Sequence, residues 1–143
     1  MEVYKSFKLA KNDLGSLCSY LEDLNKKHPH IFFLLNGDLA SGKTTLVKTF
    51  VKAKIGKDIV TSPTYNISQD YDGQIFHYDF YQRDFTHLLE GDFLELFERV
   101  GIHFIEWGSA HLKEFLKKCN FVAFNIEINA LDSAQREYIV SYE

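Results

Sequence analysis

The hydrophobic pattern alternates between two periods along the chain. Val3 to Leu9 reads as a first strand. Leu14, Leu17, Cys18, Leu21 and Leu24 then recur at the spacing of one helix face, with Asn12 placed to cap that helix. Lys26 and Lys27 suit its carboxyl end, and Pro29 forbids its continuation. Ile31-Phe32-Phe33-Leu34-Leu35 is an unbroken apolar run, the signature of a strand covered on both faces. Leu46, Val47, Phe50 and Val51 return to helical spacing, and Gly56 is a natural stop. Pro63 interrupts regular pairing, so Thr61 to Tyr65 reads as a loop. Tyr65 to Tyr71 and Gln74 to Tyr81 flank Asp72-Gly73, a strong hairpin signal that makes part of the sheet antiparallel.

The second half is closed by shorter elements. Leu88, Leu89, Phe93, Leu94, Leu96 and Phe97 predict one or two short helices around Gly91. Gly101 to Ile105 is a further strand, ending at Glu106-Trp107-Gly108. Ser109 caps a helix that turns Leu112, Phe115, Leu116 and Cys119 inward. Phe121 to Ile128 and Tyr138 to Tyr142 are the closing strands, with a polar turn over 129–136. With 143 residues and no repeat or linker, residues 1–143 are expected to form one domain.

Between the apolar strand and its following helix lies Gly37-Asp38-Leu39-Ala40-Ser41-Gly42-Lys43-Thr44, which matches GxxxxGK[ST], the phosphate-binding P-loop pattern. Its glycines let the chain curl so that successive N–H groups point at phosphate oxygens. Lys43 would reach the β- and γ-phosphates, and the Thr44 hydroxyl a Mg²⁺ ion, at the positive end of a helix. Such a site needs an acid beyond the end of a neighbouring strand. Asp79 and Glu106 both qualify as metal ligand or water-orienting group. Trp107, the single tryptophan, either fills core or walls the site against water. Thr61, Ser62 and Thr64 are either ordinary loop residues or a γ-phosphate-responsive switch. His77 and His103 lie in strands and read as core or face residues, and no zinc is inferred.

Composition narrows the partners. Sixteen Lys+Arg against 20 Asp+Glu give a formal net charge of −4, which argues against broad direct nucleic-acid binding. Any role with nucleic acid is therefore expected to pass through a protein partner. No apolar run approaches a membrane span, and Glu2, Lys5 and Lys8 break up any signal peptide. Cys18 and Cys119 read as buried thiols, which places the protein in the cytoplasm.

Four segments carry a family resemblance. Gly37 to Leu46 resembles the GDLGAGKTTL loop of the TsaE family, Ser62-Pro63-Thr64-Tyr65 its SPTY loop, His77-Tyr78-Asp79-Phe80-Tyr81 its HFDLYR segment, and Ile105-Glu106-Trp107 its (V/I)EW segment. The chain departs from that pattern at Ala40-Ser41, at Gln82 in place of an arginine and at Gly108 in place of a frequent proline. The resemblance implies an α/β P-loop NTPase-like three-layer fold, with a mixed, largely parallel central sheet and an antiparallel hairpin. It implies an ATP-binding, Mg²⁺-dependent ATPase, weak alone, that works with the TsaB–TsaD heterodimer in making threonylcarbamoyladenosine in tRNA. Carried over by position, Asp38, Leu39, Ala40, Ser41, Gly42, Lys43, Thr44 and Thr45 would hold ATP or ADP, Thr64 would belong to a switch-like loop, and Trp107 would lie at the site. Thr44, Glu106 and Asp79 would serve the metal, and Lys43, Asp79 and Glu106 catalysis. Lys11, Asn12 and Arg136 would lie near the adenine. Two other readings of the P-loop stand beside this one: a small-molecule kinase, and a nucleotide-binding interaction module without useful turnover. A kinase would need an arginine-bearing lid, and the three arginines, Arg83, Arg99 and Arg136, are well separated.

Overall fold

A computed structural model describes residues 2–10, 12–38, 42–60, 68–81 and 93–142. In chain order the elements are β1 (Glu2–Ala10), α1 (Gly15–Lys27), β2 (Ile31–Asn36), α2 (Lys43–Ile55), β3 (Ser68–Tyr71), β4 (Ile75–Asp79), α3 (Phe93–Phe97), β5 (Ile102–Glu106), α4 (Ala110–Lys118), β6 (Val122–Ala130) and β7 (Gln135–Tyr142). Seven strands form one sheet in the order β1-β7-β6-β2-β5-β4-β3. The four central strands β6, β2, β5 and β4 are parallel. The flanks, β1 on β7, β7 on β6 and β3 on β4, are antiparallel.

The apolar run in β2 explains the layering. Ile31, Phe33 and Leu35 pack with Leu17, Leu21 and Leu24 of α1 and Leu46, Val47, Phe50 and Val51 of α2. Phe32 and Leu34 point the other way, into a second core with Phe97 of α3 and Leu112 and Leu116 of α4. Helices therefore cover both faces of the parallel centre, and each such burial contributes about 1.5–3 kcal/mol relative to exposure. β1 is the outer strand on one side; its register against β7 shifts between Val3 and Lys5.

Local chemistry sets the element ends. Gly56 closes α2 in the left-handed conformation at φ 83°, its N–H bonding to Lys52 O. The Ser109 hydroxyl accepts the Leu112 N–H at 3.2 Å and starts α4. Asp72 (φ 56°) and Gly73 (φ 65°) are the centre of the tight turn between β3 and β4, closed by Gln74 N–H to Tyr71 O.

Two boundaries differ from expectation. Asn12 does not cap α1. It lies in a turn held by Asp13 N–H to Ala10 O, and the helix begins only at Gly15, preceded by Leu14, without a side-chain cap. The polar turn expected over 129–136 is shorter, because β6 runs to Ala130 and β7 starts at Gln135. Polar Asn129, Arg136 and Glu137 are drawn into strand by pairing across β6, β7 and β1. The expected loop over Thr61 to Tyr65, and Leu88 and Leu89, lie outside the described residues. Cys18 is buried, Cys119 is half-buried, and both are free thiols. Among the described residues, no helix is long and apolar enough to cross a membrane.

Candidate nucleotide site

The carboxyl ends of the parallel strands bring the sequence-predicted residues together. Parallel pairing of β4 with β5 sets Asp79 opposite Glu106, and pairing of β2 with β5 sets Leu35 opposite Glu106. The chain leaves β2 through Asn36, Gly37 and Asp38 and enters α2 at Lys43, with Gly42 in the left-handed conformation at φ 108°. Only glycine adopts that conformation without strain, so the loop can turn straight into a helix there.

Lys43 is 5 % exposed. Its ammonium donates to Gly37 O and Asp38 O, both at 2.8 Å, and lies 4.0 Å from the centre of the Trp107 ring. Burial pushes the Lys43 pKa below its ordinary value, against the opposing pull of Glu106, Asp79 and Asp38. Trp107 holds φ 62°, unusual for a bulky residue. That conformation follows directly on Glu106, whose carbonyl accepts the Phe80 N–H at 3.0 Å. Tyr81 flanks the indole at 4.9 Å between ring centres.

Glu106 is 3 % exposed. The Thr44 hydroxyl donates to its carboxylate, 3.2 Å from Oε1 and 3.0 Å from Oε2. His77 Nε2 is 2.5 Å from the same Oε2. Asp79 is half-buried, and its Oδ1 accepts the Tyr81 N–H at 3.0 Å. Thr45, half-buried one residue further along α2, has its carbonyl taken by the Thr49 hydroxyl. Asn36, Gly37, Asp38, Trp107, Gly108, Glu127 and Asn129 line an adjoining cleft of ≈ 440 Å³. Its place, beyond the carboxyl ends of parallel strands, is where open α/β sheets take ligands.

The remaining expected residues stand elsewhere. Asn12 is exposed in the turn after β1. Arg136 faces Leu9 in the β1–β7 register, near that same turn, and its guanidinium donates to Asp132 O and Gln135 O. Leu39, Ala40, Ser41, Thr64 and Lys11 lie outside the described residues. His77 was expected only as a core or face residue, and the structure puts it on the Glu106 carboxylate. The signal available was its position two residues before Asp79, on the same face of a strand. Reading it required the β4–β5 register. His103 is a core histidine: its Nδ1 meets the Tyr78 hydroxyl at 2.8 Å, its Nε2 meets Arg99 O at 2.7 Å, and burial pushes its pKa down to about 3. Among the described residues, no three His, Cys, Asp or Glu gather as a metal-binding group.

The family model for "Threonylcarbamoyl adenosine biosynthesis protein TsaE" matches residues 10–138. The chain belongs to the TsaE family. Proteins called tRNA threonylcarbamoyladenosine biosynthesis protein TsaE are similar to it. The Bacillus subtilis one is 40% identical over 84 residues, 56% of this chain and 51% of that protein. The Haemophilus influenzae one is 34% identical over 95 residues, 62% of this chain and 60% of that protein. The Rickettsia typhi one is 41% identical over 58 residues, 38% of this chain and 40% of that protein. The chain thus spans between two fifths and three fifths of these relatives' lengths. A crystal structure of Bacillus subtilis YdiB superposes with a TM-score of 0.58 at 23% identity, covering 100% of this chain and 89% of that one. That likeness shows the same fold.

Proposed function

We propose that this TsaE-family chain is a Mg²⁺-dependent ATPase that serves threonylcarbamoyladenosine formation in tRNA, working with the TsaB–TsaD heterodimer in the cytoplasm. One observation carries the chemistry: at the start of α2 the Lys43 ammonium is turned back onto the loop carbonyls of Gly37 and Asp38 at 2.8 Å, while the Thr44 hydroxyl beside it meets the Glu106 carboxylate at 3.0 to 3.2 Å. In this reading the loop amides and the Lys43 ammonium hold the phosphates of ATP or ADP. The two carbonyls that Lys43 engages give way to phosphate oxygens, which hold an ammonium more strongly. Asn12 and Arg136, at one end of the β1–β7 pair, are candidates for the adenine end of the ligand.

The donor set fits magnesium. The Thr44 hydroxyl and the Glu106 carboxylate are hard oxygen ligands already side by side, with Asp79 opposite in register. Magnesium is held by one or two carboxylates together with substrate phosphates, so a group of three acids is not needed. When bound, the ion neutralises charge that develops on the phosphates. Thr44 and Glu106 would hold it, Asp79 would orient it or an attacking water, and the Trp107 indole would shield the phosphates from solvent.

Among the described residues, neither arginine is placed at the phosphates, which supports slow turnover alone; Arg83 lies outside the described residues. The Arg99 guanidinium lies against Asp70 and the Phe76 ring, and Arg136 is spent on the β6–β7 turn. A transition-state cation would then come from a partner. The test is ADP and ATP binding by calorimetry, with phosphate release measured with and without purified TsaB–TsaD. Binding, slow release alone and faster release with the pair are the expected results. Turnover that needs a small acceptor would mean a kinase. Binding without consumption under either condition would mean an interaction module. No binding would end the nucleotide reading.

A further inference from the structure

The two strand histidines use their ring nitrogens differently. Both nitrogens of His103 are partnered, as above. His77 is 0 % exposed, its Nε2 meets Glu106 Oε2 at 2.5 Å, and its Nδ1 is buried with no hydrogen-bond partner among the described residues. A sealed, unpartnered nitrogen costs free energy, so packing alone would favour an apolar ring at this position. The carboxylate oxygen is the acceptor in this contact, so Nε2 carries the hydrogen and Nδ1 is left as a bare acceptor, the cheaper of the two groups to leave unpaired.

Glu106 has two oxygens and, among the described residues, two side-chain donors on them: the Thr44 hydroxyl and His77. If the Thr44 oxygen and a Glu106 oxygen serve a divalent cation, the Thr44 hydrogen bond no longer fixes the carboxylate. His77 then becomes the donor that does. Its imidazole is fully buried, and the backbone that carries it is fixed because β4 is paired on both sides: His77 stands opposite Gln69 in β3 and Phe104 in β5. A side chain fixed in the sheet interior can hold a strand-end carboxylate in one rotamer far better than water can.

We propose that His77 is a positioning residue, whose Nε2–H locks the Glu106 carboxylate so that its other oxygen is presented to a divalent cation beside Thr44. The proposal rests on the magnesium-nucleotide reading above. It separates His77 from Asp79, two residues along the same strand face, which stands beside the cation chemistry rather than behind it.

Three variants of the full chain isolate the donor. In His77→Gln, the side-chain amide N–H takes the place of Nε2–H. In His77→Asn, the amide reaches only as far as Nδ1. In His77→Phe, ring volume is kept and the donor is lost. For each variant, ADP affinity is measured by calorimetry with and without Mg²⁺, and the ratio gives the gain that magnesium supplies. Thermal melts run alongside. The gain in His77→Gln is expected to match wild type. In His77→Asn and His77→Phe it falls about 10- to 100-fold, the usual cost of removing a partner of a metal-holding group. Metal-free ADP affinity is unchanged in all three, which a general packing defect would not leave intact. Should His77→Phe not melt cooperatively, the Gln and Asn pair decides the matter alone. A wild-type gain in His77→Asn, or a His77→Gln as impaired as His77→Asn, overturns the proposal. Wild type that binds ADP equally with and without Mg²⁺ overturns it too, yet leaves the phosphate grip standing. Wild type that binds no ADP under either condition overturns both.

Discussion

Replacing Glu106 by alanine removes the acceptor from two donors at once, and the structure sets the cost. Thr44 is half-buried, and its hydroxyl can rotate toward water. His77 is sealed, so its Nε2–H is stranded, at about 1–3 kcal/mol. The one lost methylene adds about 0.8 kcal/mol. Against this, a carboxylate no longer has to be held out of water, which returns part of the sum. A net loss of about 2 kcal/mol remains, and at about 3–4 °C per kcal/mol for a domain of this size the melting temperature falls by about 6–8 °C. Glu106→Gln keeps the shape and an acceptor oxygen for His77. It exchanges a hydrogen bond to a charged group for a neutral one, a loss of about 1 kcal/mol, or about 3–4 °C. Both variants lose about two decades of ATP turnover, equivalent to about 2.7 kcal/mol in the barrier, while metal-free ADP affinity is retained. Calorimetric melts in metal-free buffer and a phosphate-release assay read these effects separately. If Glu106→Ala melts with wild type, the carboxylate is not what holds His77. If it turns over ATP at the wild-type rate, Glu106 has no part in the chemistry.

Lys43→Ala should cost at least about tenfold in ADP affinity, because a hydrogen bond to a charged group is worth about 1.5–3 kcal/mol; unchanged affinity would remove Lys43 from the phosphate site. The pH dependence at this residue has two opposite signs. The folded-state pKa of Lys43 lies below the ordinary lysine value, so the unfolded chain holds more protons and stability rises as pH climbs through the depressed value toward the ordinary one. Nucleotide affinity needs the ammonium and falls over that same window; titrations from neutral to alkaline pH that show a flat, lysine-independent affinity would contradict it. Gly101 sits at φ +154°, where an added Cβ would lie 2.6 Å from Gln74 O and 3.0 Å from the Phe76 ring. Gly101→Ala should therefore lower stability by about 2–3 kcal/mol, and an unmoved urea midpoint would refute that packing. Ser109→Ala should cost about 1 kcal/mol through loss of the α4 cap, read in the same urea assay.

The parts of the fold that were legible in the sequence are those decided by neighbours a few residues apart. Asp72-Gly73 demanded a tight turn, Gly56 a helix end, and Ser109 a cap, and each does in place what its side chain or its lack of one allows. The unbroken apolar run of β2 announced a doubly covered strand, and the glycine loop after it announced where Lys43 and Thr44 would stand. What escaped depends on pairing between distant segments. Asn12 looked like a cap by composition, yet the turn closing on Ala10 delays the helix until Gly15. At the β6–β7 connection Asn129 became strand by pairing with Glu137, and Arg136 and Glu137 are held from their other side by β1, far away in sequence. His77 joined the site because β4 and β5 run side by side in a register that no local pattern reveals.

The pairing of β1 with β7 also governs how the chain can be assembled and shortened. Of the seven strands β1 is made before the others and its partner β7 after them, so the backbone groups of β1 lack their ladder until residues 135–142 emerge. β2, which leads toward Lys43, and β4 and β5, which bear Asp79 and Glu106, neighbour neither of these two, and their scaffold can set before that seam closes. A truncation at residue 134 would unseat not one strand but two, because β7 is what joins β1 to β6 and the rest of the sheet.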